Sequence, residues 1–161
     1  MTTRMGEKQL NATLREIGKA ANSPVLIFDK SCNRLLIRYA KALCSVLPLN
    51  RWEIEFIADR EYAFRASADI VAKDKIALIS VDSEVQETDE LFAVLLHELL
   101  HLVLSPFKDT AFACIKQKEK SESKAETLFC HALHREEELV VDLTAALAPV
   151  LSDIIIGEKD V

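Results

Sequence analysis

The central feature of this sequence is LFAVLLHELLHLVL, residues 91–104. It predicts a helix with apolar side chains on almost every side, so the helix must be buried on most of its faces. Its only polar residues are His97, Glu98 and His101. Burying three ionisable groups without partners would cost several kcal/mol, and something inside the protein must therefore satisfy them.

The spacing of these residues indicates a metal ion. His97 and His101 stand at i and i+4 on one helical face, so both imidazoles can reach a single ion. Zinc accepts imidazole nitrogen readily, and catalytic zinc sites keep one position open for water. Glu98 follows the first histidine, where its carboxylate can accept a proton from that water. This HExxH pattern of zinc metallopeptidases predicts zinc as cofactor, the histidines as ligands and Glu98 as general base.

A third protein ligand is needed to complete such a site. Metzincins have a glycine three residues and a histidine six residues past the second histidine of the motif. This sequence has Leu104 and Phe107 at those positions, which excludes that class. A later segment, HALHREEELVVDLTAAL (residues 131–147), offers three consecutive glutamates before an apolar stretch. We expect the third ligand in that segment.

Glu138 is the first choice for this ligand. Glu138 and Asp142 stand at i and i+4, so Glu138 can bind the metal while Asp142 orients a ligating imidazole. Glu137 is the main alternative, since any carboxylate at the margin of the apolar face could serve. Glu136, or a histidine, is also open as the third ligand.

Two histidines precede this acidic cluster. Either His131 or His134 could donate a hydrogen bond to the oxyanion of a reaction, and His134 could instead replace the glutamate as ligand. The alternative for both histidines is an ordinary exposed position on a helix. His134 is the better candidate for a transition-state stabiliser.

The rest of the chain predicts an α+β fold. WEIEFIA (52–58) alternates apolar and acidic residues, as a strand with one solvated face does. Two further extended segments, 62–71 and 76–81, flank a possible hairpin turn at 72–75. These spacings predict a small, mostly antiparallel sheet, packed on the HExxH helix and on a long C-terminal helix.

Helix boundaries follow from capping residues and prolines. Thr88 is the expected N-cap of the HExxH helix, which we expect to end at Ser105-Pro106. Residues 116–126 suit a mobile connection or an irregular helix start, and the last helix is expected at about 124–148, ending near Pro149.

The N-terminal third adds two predicted helices. They cover residues 7–21 and 31–46, the second opened by Ser31, and the short apolar run 25–28 between them has no defined state. We expect a single domain over residues 1–161, with an N-terminal helical part (1–50) and a catalytic core at about 51–150.

Composition restricts the partners and the compartment. The net charge of -6 and pI near 5.3 disfavour broad binding to nucleic acid phosphates. The chain has no run of about 18 apolar residues and no signal-peptide pattern at its start, so we expect no membrane association and a cytoplasmic location. Widely spaced cysteines fit free thiols better than a zinc ribbon or a disulfide framework; they are Cys32, Cys44, Cys114 and Cys130.

The motifs resemble those of gluzincin-type zincins. FAVLLHELLHLVL (92–104) and EEELVVDLTAAL (136–147) carry the resemblance, with WEIEFI (52–57) and KIALISVD (75–82) as upstream strands. The chain is similar to small phage- and prophage-encoded predicted metallopeptidases and, more distantly, to the ImmA/IrrE family. That family usually follows its third ligand with an Ala-Asn-x-Phe-Ala sequence, of which residues 141–145 (VDLTA) keep only the last alanine.

The resemblance implies a zincin fold, in which an edge strand above the cleft pairs with an extended peptide substrate. IALISV (76–81) would be that strand. The predicted function is a zinc-dependent metallopeptidase acting on a peptide or protein, which could be a regulatory protein such as a repressor. Two alternatives stay open: a zinc-binding regulatory module with little proteolysis, and a structural phage-type protein in which zinc only tightens the fold.

Overall fold

The computed structural model describes residues 23–59 and 65–157, which form one four-stranded sheet and three α-helices. The predicted α+β class is confirmed, while the predicted helix at 7–21 lies outside the described residues. In chain order the elements are β1 (Val25–Phe28), α1 (Arg34–Val46), β2 (Glu53–Asp59), β3 (Ala66–Val71), β4 (Ile76–Asp82), a 3-10 turn (Val85–Glu87), α2 (Leu91–Lys118) and α3 (Glu122–Gly157).

The sheet is mixed, with strand order β1-β2-β4-β3. β2 pairs in parallel with both β1 and β4, and β3 pairs antiparallel with β4. The prediction of a mostly antiparallel sheet was therefore wrong. The alternation of apolar residues identifies a strand but carries no information on its direction. The run 25–28 becomes a strand whose parallel pairing with β2 is made possible by the α1 crossover.

β4 lies inside the sheet between β2 and β3, so the prediction that residues 76–81 form the edge strand was wrong. The outer strand on that side is β3, which packs beside α2. The predicted hairpin turn between β3 and β4 is confirmed. The Lys75 N–H donates to the Ala72 carbonyl at 3.2 Å, and Lys75 adopts a φ of 57°.

α1 begins three residues later than predicted because Asn33, not Ser31, caps it. The Asn33 side chain accepts a hydrogen bond from the Leu36 N–H at 2.9 Å. Ser31 instead donates its hydroxyl to Asp29 at 2.7 Å. The buried core joins α1, the sheet and α2, and its largest fully buried side chains include Leu36, Leu43, Leu49, Trp52, Ile54, Phe56, Ile79, Leu91, Leu95, Leu96, Leu99 and Leu102.

α2 starts later and ends later than predicted. Thr88 closes the 3-10 turn through its hydroxyl, which donates to the Val85 carbonyl at 2.9 Å, and the helix begins at Leu91. Pro106 lies inside the helix. A proline has no N–H for the carbonyl four residues earlier, that of Leu102. The Ser105 hydroxyl donates to this carbonyl at 2.9 Å, which satisfies it and lets α2 continue to Lys118.

α3 runs back along α2 after a connection of only residues 119–121. The two helices therefore form an antiparallel pair, and the Phe112 and Phe129 rings meet across it with centroids 5.0 Å apart. The prediction that α3 ends near Pro149 was wrong, since the helix continues to Gly157. Among the side chains of α3 whose burial is described, only Val140 is buried. This pairing brings residues 136–138 of α3 alongside the histidine turn of α2.

Candidate metal centre

The two histidines of the HExxH motif lie next to each other on α2. The Nε2 atoms of His97 and His101 are 3.3 Å apart. Both side chains are mostly enclosed, with 22% and 16% of their surface exposed. One helical turn separates them, so their rings converge on the same point beside α3, as their spacing predicts.

α3 adds a carboxylate to this point. Glu137 lies with Oε1 3.3 Å from His97 Nε2 and Oε2 3.3 Å from His101 Nε2. The three residues offer donor atoms that all lie within 4.8 Å of one another. Donors bound to one zinc ion at about 2.0–2.2 Å in a tetrahedron stand about 3.3–3.6 Å apart. The donor set could therefore hold a metal ion.

Glu138, the first choice from the sequence, is not brought to the histidines. Its Oε2 accepts a hydrogen bond from the Arg135 guanidinium at 2.7 Å, and its Oε1 lies 3.3 Å from His134 Nε2. Each residue advances a helix by about 100°. The packing of α3 on α2 turns Glu137, the alternative, toward the histidines and leaves Glu138 on the neighbouring face.

Glu136, and not Asp142, contacts an imidazole of the HExxH motif. Glu136 Oε1 lies 3.0 Å from His101 Nδ1, and its side chain is only 11% exposed, whereas Asp142 is exposed. A carboxylate that accepts the Nδ1–H of an imidazole leaves the lone pair of Nε2 free for a metal. The Lys108 ammonium lies 3.2 Å from Glu136 Oε2 and offsets the buried negative charge. A helix expected to end at Pro106 gave no reason to consider Lys108.

Glu98 is buried beside the triad formed by His97, His101 and Glu137, with 8% of its surface exposed. Burial raises the pKa of Glu98 to about 7; the nearby His101 opposes that rise, and the negative charge of Glu137 adds to it. Burial also lowers the pKa of His97, against the opposing effect of Glu137. Neutral imidazole is the form that binds a metal, so this environment favours ligation.

His134 is not brought to the triad. It is 74% exposed, and it lines a separate cavity of about 220 Å³ together with His131, Arg135 and Glu138. The geometry therefore does not support the predicted role of His134 as a transition-state stabiliser. The local pairing of His134 with Glu138, at i and i+4, accounts for its position.

Two cavities meet at His97 and Glu98 and form a cleft beside β3. One, of about 540 Å³, is lined by three small apolar residues, by the Arg65–Glu90 ion pair and by Thr144. The other, of about 430 Å³, contains Lys108 and the acidic residues 136 and 137. The apolar lining consists of Ala66, Ala93 and Val94. The cleft thus has a small apolar part at Ala93 and Val94, and charged residues line both of its cavities.

Comparisons with protein-family models, curated proteins and solved structures find no match to this chain. The likeness to gluzincins therefore rests on the sequence motifs alone. What the site can do chemically follows from its own donors: two imidazoles and a carboxylate that fit a cation, and a buried carboxyl group with a raised pKa at the edge of a cleft.

Proposed function

We propose that this protein is a zinc-dependent metallopeptidase, in which His97, His101 and Glu137 hold the metal. The observation that carries the proposal is the convergence of donors from two helices, with the two Nε2 atoms 3.3 Å apart and each 3.3 Å from a different carboxylate oxygen of Glu137. Catalytic zinc sites use three protein ligands and leave a position for water, whereas structural sites are closed by four. Among the described residues, the group that can hold a metal has three members.

Glu98 is the general base of the proposed reaction. A bound zinc ion would supply a Lewis acid that lowers the pKa of its water and polarises the substrate carbonyl. Glu98 accepts a proton from the water that attacks the carbonyl carbon, and it returns that proton to the amine nitrogen when the C–N bond breaks. Its burial on the histidine helix, at the junction of both cavities, supports this assignment.

An extended peptide is the proposed substrate. β3 pairs with β4 on one side only, and no described strand covers its outer edge. Residues 66–68 and 70 of β3 line the charged cavity beside the triad, so a peptide could add to this edge as a further strand, with its carbonyl near the proposed metal position. The apolar cavity at Ala93 and Val94 supports a preference for an apolar side chain on that side of the cleavage point.

The test is the Glu98→Gln variant, compared with wild type in zinc content and in cleavage of a denatured protein substrate. We expect E98Q to retain zinc and to lose cleavage by about 10²–10⁴-fold, since the amide cannot take the proton. Glu138→Gln is the matched control, expected to keep both properties because Glu138 pairs with Arg135 away from the triad.

Cleavage that persists in purified E98Q would overturn the proposal. A different outcome separates the alternatives: wild type and E98Q both bind zinc, and neither cleaves any peptide. That result would assign the site to a regulatory or structural role.

A further inference from the structure

Lys108 forms an ion pair with Glu136, a carboxylate beside the metal site. Its Nζ lies 3.2 Å from Oε2 and 3.4 Å from Oε1 of Glu136, and this Oε1 is also 3.0 Å from His101 Nδ1. The Lys108 and Glu136 side chains are 23% and 11% exposed. The ion pair with Lys108 compensates for the loss of water around the Glu136 carboxylate.

The position of Lys108 depends on the unbroken α2 helix. Lys108 stands seven residues, about two turns, past His101, so both lie on the same helical face. That register is kept because the Ser105 hydroxyl donates a hydrogen bond to the Leu102 carbonyl, to which Pro106 has no N–H to donate. A helix ending at Pro106 would not align Lys108 with the histidines. The proline and the serine before it thus bear directly on the surroundings of the site.

We propose that Lys108 is a positioning residue of the metal site. It holds Glu136 in the orientation that accepts the His101 Nδ1–H, so that His101 keeps its Nε2 lone pair directed at the metal position. Lys108 acts through Glu136 and supplies none of the donor atoms itself. The inference rests on the metal site of the proposed function and does not depend on peptidase activity.

The first test reads the tautomer of His101 directly. In metal-free, ¹⁵N-labelled protein at a pH where the imidazole is neutral, two-bond ¹H–¹⁵N spectra distinguish an Nδ1–H from an Nε2–H ring. Wild type and Lys108→Arg are expected to show the Nδ1–H form of His101, and Lys108→Met a mixture of the two. Lys116→Met is the matched control, an exposed lysine two turns further along α2, and should match wild type.

The second test is a double-mutant cycle on zinc affinity, measured by competition with a chelator. Loss of a group that orients a ligand typically weakens metal binding by about 10–100-fold, which we expect for Glu136→Gln. Lys108→Met should weaken binding by about 10-fold, and Lys108→Arg should restore most of it. Because Lys108 acts through Glu136, the double variant should bind within about threefold of Glu136→Gln alone.

The proposal is overturned if Lys108→Met keeps the wild-type tautomer and zinc affinity, or if the effects of the two substitutions multiply. Lys108→Arg and the control separate positioning from a general loss of folding, since a misfolded Lys108→Met protein would show a collapsed amide spectrum. Failure here and failure of the proposed function are distinguishable. A wild type that cleaves no peptide but shows the expected His101 tautomers would remove the peptidase and leave the role of Lys108 standing.

Discussion

Two adjacent faces of α3 carry acidic residues with very different partners. Glu136 and Glu137 are directed at the imidazoles of α2, while Glu138 pairs with Arg135 on its own helix and Asp142 is exposed. Exposure does not separate the two faces, because the side chain of Glu137 is 53% exposed and that of Glu138 46%. The direction of the side chain, set by the rotation of α3 against α2, decides which carboxylate can bind a metal.

The largest difference in zinc affinity is expected between variants in which Glu137 or Glu138 is neutralised one at a time. Glu137→Gln should weaken zinc binding by more than about 100-fold, since loss of a mere orienting group already costs about 10–100-fold. Glu138→Gln should leave affinity unchanged, because its carboxylate lies 2.7 Å from Arg135. Calorimetric or chelator titration of both proteins measures the difference, and equal losses in the two variants would refute the assignment of the ligand.

Metal removal tests how much the proposed ion stabilises the packing of α3 on α2. Val140 is the only fully buried side chain of α3 among those described, the other core-facing apolar residues of the helix are only partly buried, and the proposed ion would connect the two helices. At a free zinc concentration about 1,000 times Kd, binding adds about 4 kcal/mol, which for a domain of this size raises Tm by roughly 10 °C. Thermal unfolding with and without chelator measures this. Metal removal should also reduce the protection of α3 amides from hydrogen exchange. A Tm that chelation leaves unchanged would contradict the bridging role.

The stability of the metal-free protein should depend on pH through the buried carboxyl group of Glu98. Burial raises the pKa of Glu98 from 4.5 to about 7. The folded protein thus holds this proton more tightly than the unfolded chain. The cost of ionising Glu98 in the fold is absent below pH ~4.5, grows as pH rises, and reaches about 3 kcal/mol above pH ~7.

Glu98→Gln removes that cost. In metal-free protein, urea unfolding should show E98Q and wild type equally stable near pH 4.5, with E98Q more stable by up to about 3 kcal/mol near pH 8. A constant difference between the two proteins across this range would show that Glu98 does not titrate in the way its burial indicates. Glu138→Gln, on the neighbouring face of α3, is the matched control for the loss of one carboxylate.

The sequence was sufficient to identify the residues of one helix but not their partners from another. His97, Glu98 and His101 follow from spacing within α2, which local geometry determines. The choice among residues 136–138 depends on how α3 is rotated against α2. An i, i+4 pair such as Glu138 and Asp142 shows that two residues share a face of a helix, but it does not show which face packs against α2. The third ligand therefore required the structure.

The same limit applies to the sheet and to α2. Strand periodicity located β2, β3 and β4, but strand direction and the interior place of β4 depend on pairing between distant segments. Pro106 ends a helix unless another group satisfies the Leu102 carbonyl, and the Ser105 hydroxyl does so. A serine before a proline in an apolar helix is a signal that could have been read, and it would have pointed to Lys108.

The most direct test of the central claim is a crystal structure of the zinc-loaded protein, with anomalous scattering recorded at the zinc edge. We expect one zinc ion bound by Nε2 of His97, Nε2 of His101 and the carboxylate of Glu137, with a solvent oxygen as the remaining ligand. Zinc bound through Glu138, or a fourth protein ligand closing the site, would contradict it.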